Sequence, residues 1–104
     1  MTVSELVVNF GLAVCEERLR QGLSQRELSA RCGTHWNYIG AIERGATRPT
    51  LPVMARLAQG LGVPLAELVA TAEQGYEPYV GPQRQVGTSA AVRLVRRSAS
   101  KRVG

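Results

Sequence analysis

Residues 23–45 read Leu23-Ser-Gln-Arg-Glu-Leu-Ser-Ala-Arg-Cys-Gly-Thr-His-Trp-Asn-Tyr-Ile-Gly-Ala-Ile-Glu-Arg-Gly45, and their spacing decides the fold. Ser24, with Glu27 three residues on, forms a capping box that starts a helix. Leu28 is its apolar contact, and Ser29 is small enough to admit a second helix beside it. Gly33 stands where the chain must turn sharply, and glycine reaches left-handed backbone angles without a Cβ clash. A further helix then runs over Trp36–Arg44, started by Thr34 or His35 and stopped by Gly45. Ile39 and Ile42 are three apart and share its inner face, so His35, Trp36, Asn37, Gly40 and Ala41 are expected to face out. Two short helices, a tight turn and an exposed leading edge make a helix-turn-helix, the shape that fits a nucleic-acid groove.

Helical signals continue on both sides. Thr2 and Glu5 form another capping box, and Leu6, Phe10 and Val14 recur every four residues, with Val7 and Leu12 nearby. This predicts helix 1 from Val3 to Gln21, ended by Gly22. Pro49 bars helix across 46–50. Helix 4 fits Pro52–Leu61, with Thr50 as cap, Gly62 as stop, and Val53, Met54, Leu57, Ala58 and Leu61 facing in. Helix 5 fits Pro64–Ala72, with Pro64 in the first turn. After Ala72 the texture changes: Gly75-Tyr-Glu-Pro-Tyr-Val-Gly-Pro82 reads as a linker or ordered loop. Residues 86–95 are open between strand, short helix and neither.

The chain resembles the Cro/C1-type (XRE-like) helix-turn-helix DNA-binding proteins. The resemblance rests on Leu23-Ser24-Gln25, Leu28, Gly33, Tyr38-Ile39, Ile42-Glu43-Arg44-Gly45, Arg48-Pro49-Thr50-Leu51 and Leu61-Gly62-Val63, and covers residues 10–70. Restriction–modification controller proteins and small phage-type repressors are the subgroups nearest in size. It implies an all-α, five-helix lambda-repressor-like domain over residues 1–72, which binds operator DNA as a homodimer, followed by a basic C-terminal extension over residues 73–104. Three positions depart from the family pattern: Cys32 replaces an aliphatic residue, Ser29 an alanine, and Glu17 a leucine.

Matched to the family motif, Trp36, Asn37, Gly40 and Ala41 are the expected base contacts. Asn37 is the best reader, because its amide can pair bidentately with adenine. Trp36 has two readings: lying on thymine methyls or sugars, or folded back over the domain. The short Gly40 and Ala41 either let the helix sit closer or leave more of the specificity to DNA shape. The resemblance implies that Gln25 holds a phosphate at the positive end of helix 2. His35 (as cap or phosphate ligand), Arg44, Thr47 and Arg48 complete the expected phosphate set, while Arg26 and Arg31 are open between phosphate contacts and solvated charges. The resemblance also implies a structural ion pair of Arg18 with Glu43. Leu65, Leu68 and Val69 are the expected dimer interface, with Tyr76 and Tyr79 as further candidates; the alternative is that helix 5 closes the monomer core.

Composition agrees with an anionic partner. The formal charge is +5 and the pI about 10.0. Residues 1–72 carry a net +1 and residues 73–104 a net +4, so the basic excess lies mainly in the extension. No run approaches the roughly 18 apolar residues that cross a bilayer, and Met-Thr-Val-Ser-Glu5 lacks the basic start of a secretory signal, so a cytoplasmic protein without a membrane partner is expected. Cys15 and Cys32 fit no metal spacing and are read as buried thiols, with a redox switch as the alternative. No Ser/His/Asp set, metal cluster or phosphate-cradling loop is present, so neither an enzyme nor a cofactor is expected. The leading expectation is a transcriptional regulator on double-stranded DNA. The competing readings are an antitoxin or adaptor that holds a protein partner through residues 73–104, and non-specific nucleic-acid binding by the basic extension.

Overall fold

A computed structural model describes residues 1–77 and the pair 95–96. Five helices carry the architecture: α1 (Val3–Arg20), α2 (Gln25–Cys32), α3 (Trp36–Glu43), α4 (Leu51–Leu61) and α5 (Leu65–Gln74). The two-residue strands β1 (Tyr76–Glu77) and β2 (Val95–Arg96) pair antiparallel, Tyr76 opposite Arg96. The domain is all-α.

Local chemistry sets the ends of the helices. Thr2 and Ser24 each accept the backbone N–H three residues on, and Glu5 and Glu27 reach back to the cap N–H, so both capping boxes form. Gly33 ends α2 with φ of 77°, the left-handed conformation that a tight turn into α3 requires. Thr50 caps α4 through the Val53 N–H at 3.3 Å. Five predicted boundaries move, the first being the end of helix 3, which stops one residue early at Glu43 with Arg44 as its cap. Helix 1 ends one residue early, at Arg20, with Gln21 as its cap. Helix 4 starts at Leu51, which places Pro52 inside the first turn, where its missing N–H costs nothing. Helix 5 starts after Pro64, whose ψ of 141° is extended, and continues past Ala72 to Gln74. Glu73 and Gln74 are polar but not helix-breaking, so the helix runs on until Gly75.

α1 packs on α5 and α3, while α2 packs on α4 and α3. Leu28, Ile39, Ile42, Leu57 and Val14 are wholly enclosed where these helices meet, each contributing about 1.5–3 kcal/mol by leaving water. Of the inward set predicted for α4, Met54 is only half-buried, at the margin of this core. A smaller cluster joins Leu12 and Cys15 of α1 to Tyr76, whose hydroxyl donates to Glu16 Oε1 at 2.9 Å. Cys15 and Cys32 are both buried and form no disulfide.

Leu68 corrects the interface expectation. It is 4% exposed and belongs to the core, with Leu65 and Val69 packed half-buried beside it. α5 is a short helix with one narrow apolar stripe, and α1 takes that stripe. Tyr76 is likewise spent on α1, while Tyr79 and most of the basic extension, including the expected protein-partner contact, lie outside the described residues. Among the described residues no single helix is long and apolar enough to cross a membrane.

Candidate nucleic-acid interface

The turn between α2 and α3 places two helix N-termini side by side, and the predicted contact residues are distributed over them. His35 is the N-cap of α3, its Nδ1 accepting the Asn37 N–H at 3.1 Å. Thr34, the other candidate cap, is buried instead, and its Oγ1 has no partner among the described residues. Asn37 follows in the first turn, exposed, with its backbone held by His35. Ala41 is half-buried one turn further on.

Trp36 is neither flat on the surface nor folded into the core. Its ring stacks on His35, with centroids 4.1 Å apart and planes 25° from parallel. The Arg26 guanidinium lies over it at 4.0 Å from the ring centroid. Sequence reasoning had no signal for this contact, which joins the first turn of α2 to the first residue of α3 across the turn.

Gly40 does not face out. It is buried, and a Cβ placed there would come within 3.1 Å of the Arg44 guanidinium and 3.5 Å of the Gln25 amide. The helical period puts Gly40 on the outer face of α3, but side chains from α2 and from the end of α3 cover that face. In this structure Gly40, expected as a base contact, lies beneath the Gln25 and Arg44 side chains.

Gln25 Nε2 donates to Glu43 Oε1 at 2.9 Å. The same carboxylate accepts Arg18 Nε at 2.7 Å on Oε2 and Arg18 NH2 at 2.9 Å on Oε1. A third Arg18 nitrogen donates to the Leu23 carbonyl at 2.7 Å. Glu43 is 2% and Arg18 7% exposed. The hydrogen bonding to the Glu43 carboxylate, outweighing burial, holds the Arg18 pKa above the ordinary arginine value. The geometry is thus a bidentate buried ion pair with all the strong directions filled. Arg44 is exposed as the C-cap of α3, and Arg48 is exposed and Thr47 half-buried in the following loop, where both line a hollow with Ser4, Val7 and Val8 of α1. The outer face so assembled presents Gln25, Arg26, His35, Trp36, Asn37, Arg44 and Arg48. Apart from Glu43, which is buried, none of the residues forming it is acidic. No group of three or more His, Cys, Asp or Glu side chains capable of holding a metal exists among the described residues.

A family model described as helix-turn-helix matches residues 16–68. An uncharacterized HTH-type transcriptional regulator of Sinorhizobium fredii is 40% identical over 57 residues, which are 55% of this chain and 74% of that protein. The cryptic phage CTXphi transcriptional repressor RstR of Vibrio cholerae is 34% identical over 64 residues, 62% of this chain and 58% of the repressor. Among solved structures, the restriction-modification controller protein C.AhdI of Aeromonas hydrophila is 35% identical with a TM-score of 0.58, covering 60% of this chain and 94% of the controller. The clp gene regulator ClgR of Corynebacterium glutamicum is 25% identical with a TM-score of 0.63, covering 65% and 72%.

Proposed function

The chain belongs to the Cro/C1-type helix-turn-helix family of DNA-binding transcriptional regulators, and we propose that it reads a pseudo-palindromic operator as a homodimer, with α3 in the major groove. The observation that carries this reading is Asn37: exposed, in the first turn of α3, on backbone fixed by the His35 cap. A side-chain amide there can meet adenine N6 and N7 together. Trp36 and Ala41 flank it along the groove edge. Gln25, His35, Arg44, Thr47 and Arg48 take phosphates, which fix register without carrying sequence. Gln25 and Arg26 also occupy the open N–H end of α2, where the helix favours an anion.

One short helix reads only a few base pairs, so two copies spaced one DNA turn apart, about 34 Å, supply the needed site length. With Leu68 spent on the core, the contact between copies falls to the apolar hollow of Leu6, Val7, Phe10, Pro49, Met54 and Val69 and to the half-buried Leu65. Selection from a random duplex library tests the reading. Enrichment of a two-fold symmetric site, relaxed at one position per half-site by Asn37→Ala, is expected. Failure of the wild-type chain to enrich any sequence would refute it.

A further inference from the structure

Two of the described arginines are held in ion pairs. Arg18 is buried and paired with Glu43, and Arg20 is paired with Glu17. Arg26, like Arg31, Arg44, Arg48 and Arg56, is exposed and outside these ion pairs. Its guanidinium instead lies 4.0 Å over the Trp36 ring, and that ring is itself stacked on the residue that caps α3.

We propose that Arg26 is a DNA-phosphate clamp held ready by Trp36, so that Trp36 is a positioning residue for the backbone grip as well as part of the groove edge. The inference rests on the DNA-reading function proposed above and adds to it a residue and a coupling.

Three physical points carry it. A cation–π contact uses the flat face of the guanidinium, so the in-plane N–H donors stay free for a planar or tetrahedral oxyanion. A solvated arginine loses much of its rotamer freedom when it is fixed, and stacking on Trp36 meets part of that loss before DNA arrives. Position chooses phosphate over base: in helix-turn-helix docking the first helix crosses the DNA backbone while the second enters the groove. Arg26 is in the first turn of α2, beside Gln25 and the open N–H groups of the helix.

The test is DNA binding by the full chain across a salt series, on the selected operator and on a nonspecific duplex, for Arg26→Ala, Arg26→Lys, Trp36→Ala and the Arg26→Ala/Trp36→Ala double. Trp36 is the single tryptophan of the sequence, so its emission reports the stack in the free protein, and Arg26→Ala is expected to shift it. On DNA, Arg26→Ala is expected to make the slope of log affinity against log salt shallower by about 0.9, which is about a tenfold loss near 0.1 M salt, with the selected sequence unchanged. Arg26→Lys should restore the slope but not the stacking. The double variant should be weaker than wild type by about two- to fivefold less than the product of the single effects, the size of an exposed cation–π coupling.

An unchanged slope in Arg26→Ala overturns the clamp, and additive single effects overturn the coupling to Trp36. Relaxed selection at one base pair with an unchanged slope would instead make Arg26 a base reader, and so also overturns the proposal. If the wild type selects no operator, the regulator reading fails by itself, and the slope on nonspecific duplex still decides Arg26. Arg26 is on the surface, so its variants are expected to keep the wild-type circular-dichroism melt.

Discussion

Replacing Glu43 by glutamine keeps the shape of the side chain and removes its charge. The carboxylate accepts three hydrogen bonds, two from Arg18 and one from Gln25, and it sits 2% exposed beside an arginine that is 7% exposed. In Glu43→Gln an NH2 group faces guanidinium donors, and the Arg18 charge is left buried without its counterion. Breaking a buried pair from one side costs about 3–5 kcal/mol, a large part of the 5–15 kcal/mol that holds a domain together. At roughly 4–8 °C per kcal/mol for a domain of this size, the melting temperature should fall by at least about 12 °C. Thermal and urea unfolding of both proteins measure this directly. Arg18→Met with Glu43→Leu removes both charges and should recover most of the loss, though the Leu23 carbonyl and the Gln25 amide then lack their partners. This double variant should fold and yet hold DNA more weakly than wild type, because Gln25 is no longer tied down. The arginine side adds no pH dependence near neutrality: its raised pKa means the stabilisation is present below the unfolded value and is lost only as the pH climbs through the alkaline extreme. A Glu43→Gln protein within about 1 kcal/mol of wild type would refute the reasoning, as would a double variant no more stable than the single.

Two further outcomes follow from the geometry. Gly11→Ala gains about 1 kcal/mol of helix propensity, but the new Cβ would stand 1.9 Å from the Ile42 carbonyl oxygen, so α1 and α3 must part and the net effect should be a loss of about 1–3 kcal/mol by urea titration; a stabilised variant would contradict the close packing. Glu27 has its pKa held below the usual glutamate range, first by the hydrogen bond from the Ser24 backbone. Its stabilisation is present above the unfolded pKa near 4.5 and is lost as the pH falls through the lower folded value. The melting-temperature advantage of wild type over Glu27→Gln should therefore shrink below about pH 4.5, and an advantage independent of pH would exclude the effect.

The parts of this fold that were legible in the sequence are those set by near neighbours along the chain. Both capping boxes, the left-handed Gly33 and the enclosed Ile39 and Ile42 depend on residues three or four positions apart, which periodicity reports directly. What periodicity could not report is which outward positions another element covers. Gly40 is on the outer side of α3 by its helical position, yet Gln25 and Arg44 roof it. Leu68 belongs to an apolar stripe that serves a dimer or a core equally well until α1 is placed against it. The end of α5 escaped because Glu73 and Gln74 carry no apolar signal, and the anchor that follows them, Tyr76 on Leu12 and Cys15, is a long-range contact. At the candidate interface, Asn37 was readable from its place in the motif, whereas the Arg26–Trp36 stack requires knowing how two helix starts meet.

Glu43 also explains why the interface and the fold are hard to separate in this chain. One carboxylate oxygen accepts both Arg18, which ties α1 to α3, and Gln25, which begins α2. A primary amide has two N–H donors, so Gln25 can keep one on Glu43 while the other meets the phosphate proposed for it, and no internal bond has to break on binding. The position of that donor is then as fixed as the core pair behind it. Gly40 leaves space beside this arrangement: a Cβ there would press on the Arg44 guanidinium at 3.1 Å and touch the Gln25 amide at 3.5 Å. In the complex proposed above, a larger residue at Gly40 would crowd the Arg44 guanidinium, 3.1 Å from where a Cβ would stand, and so shift one of the side chains proposed to grip the backbone.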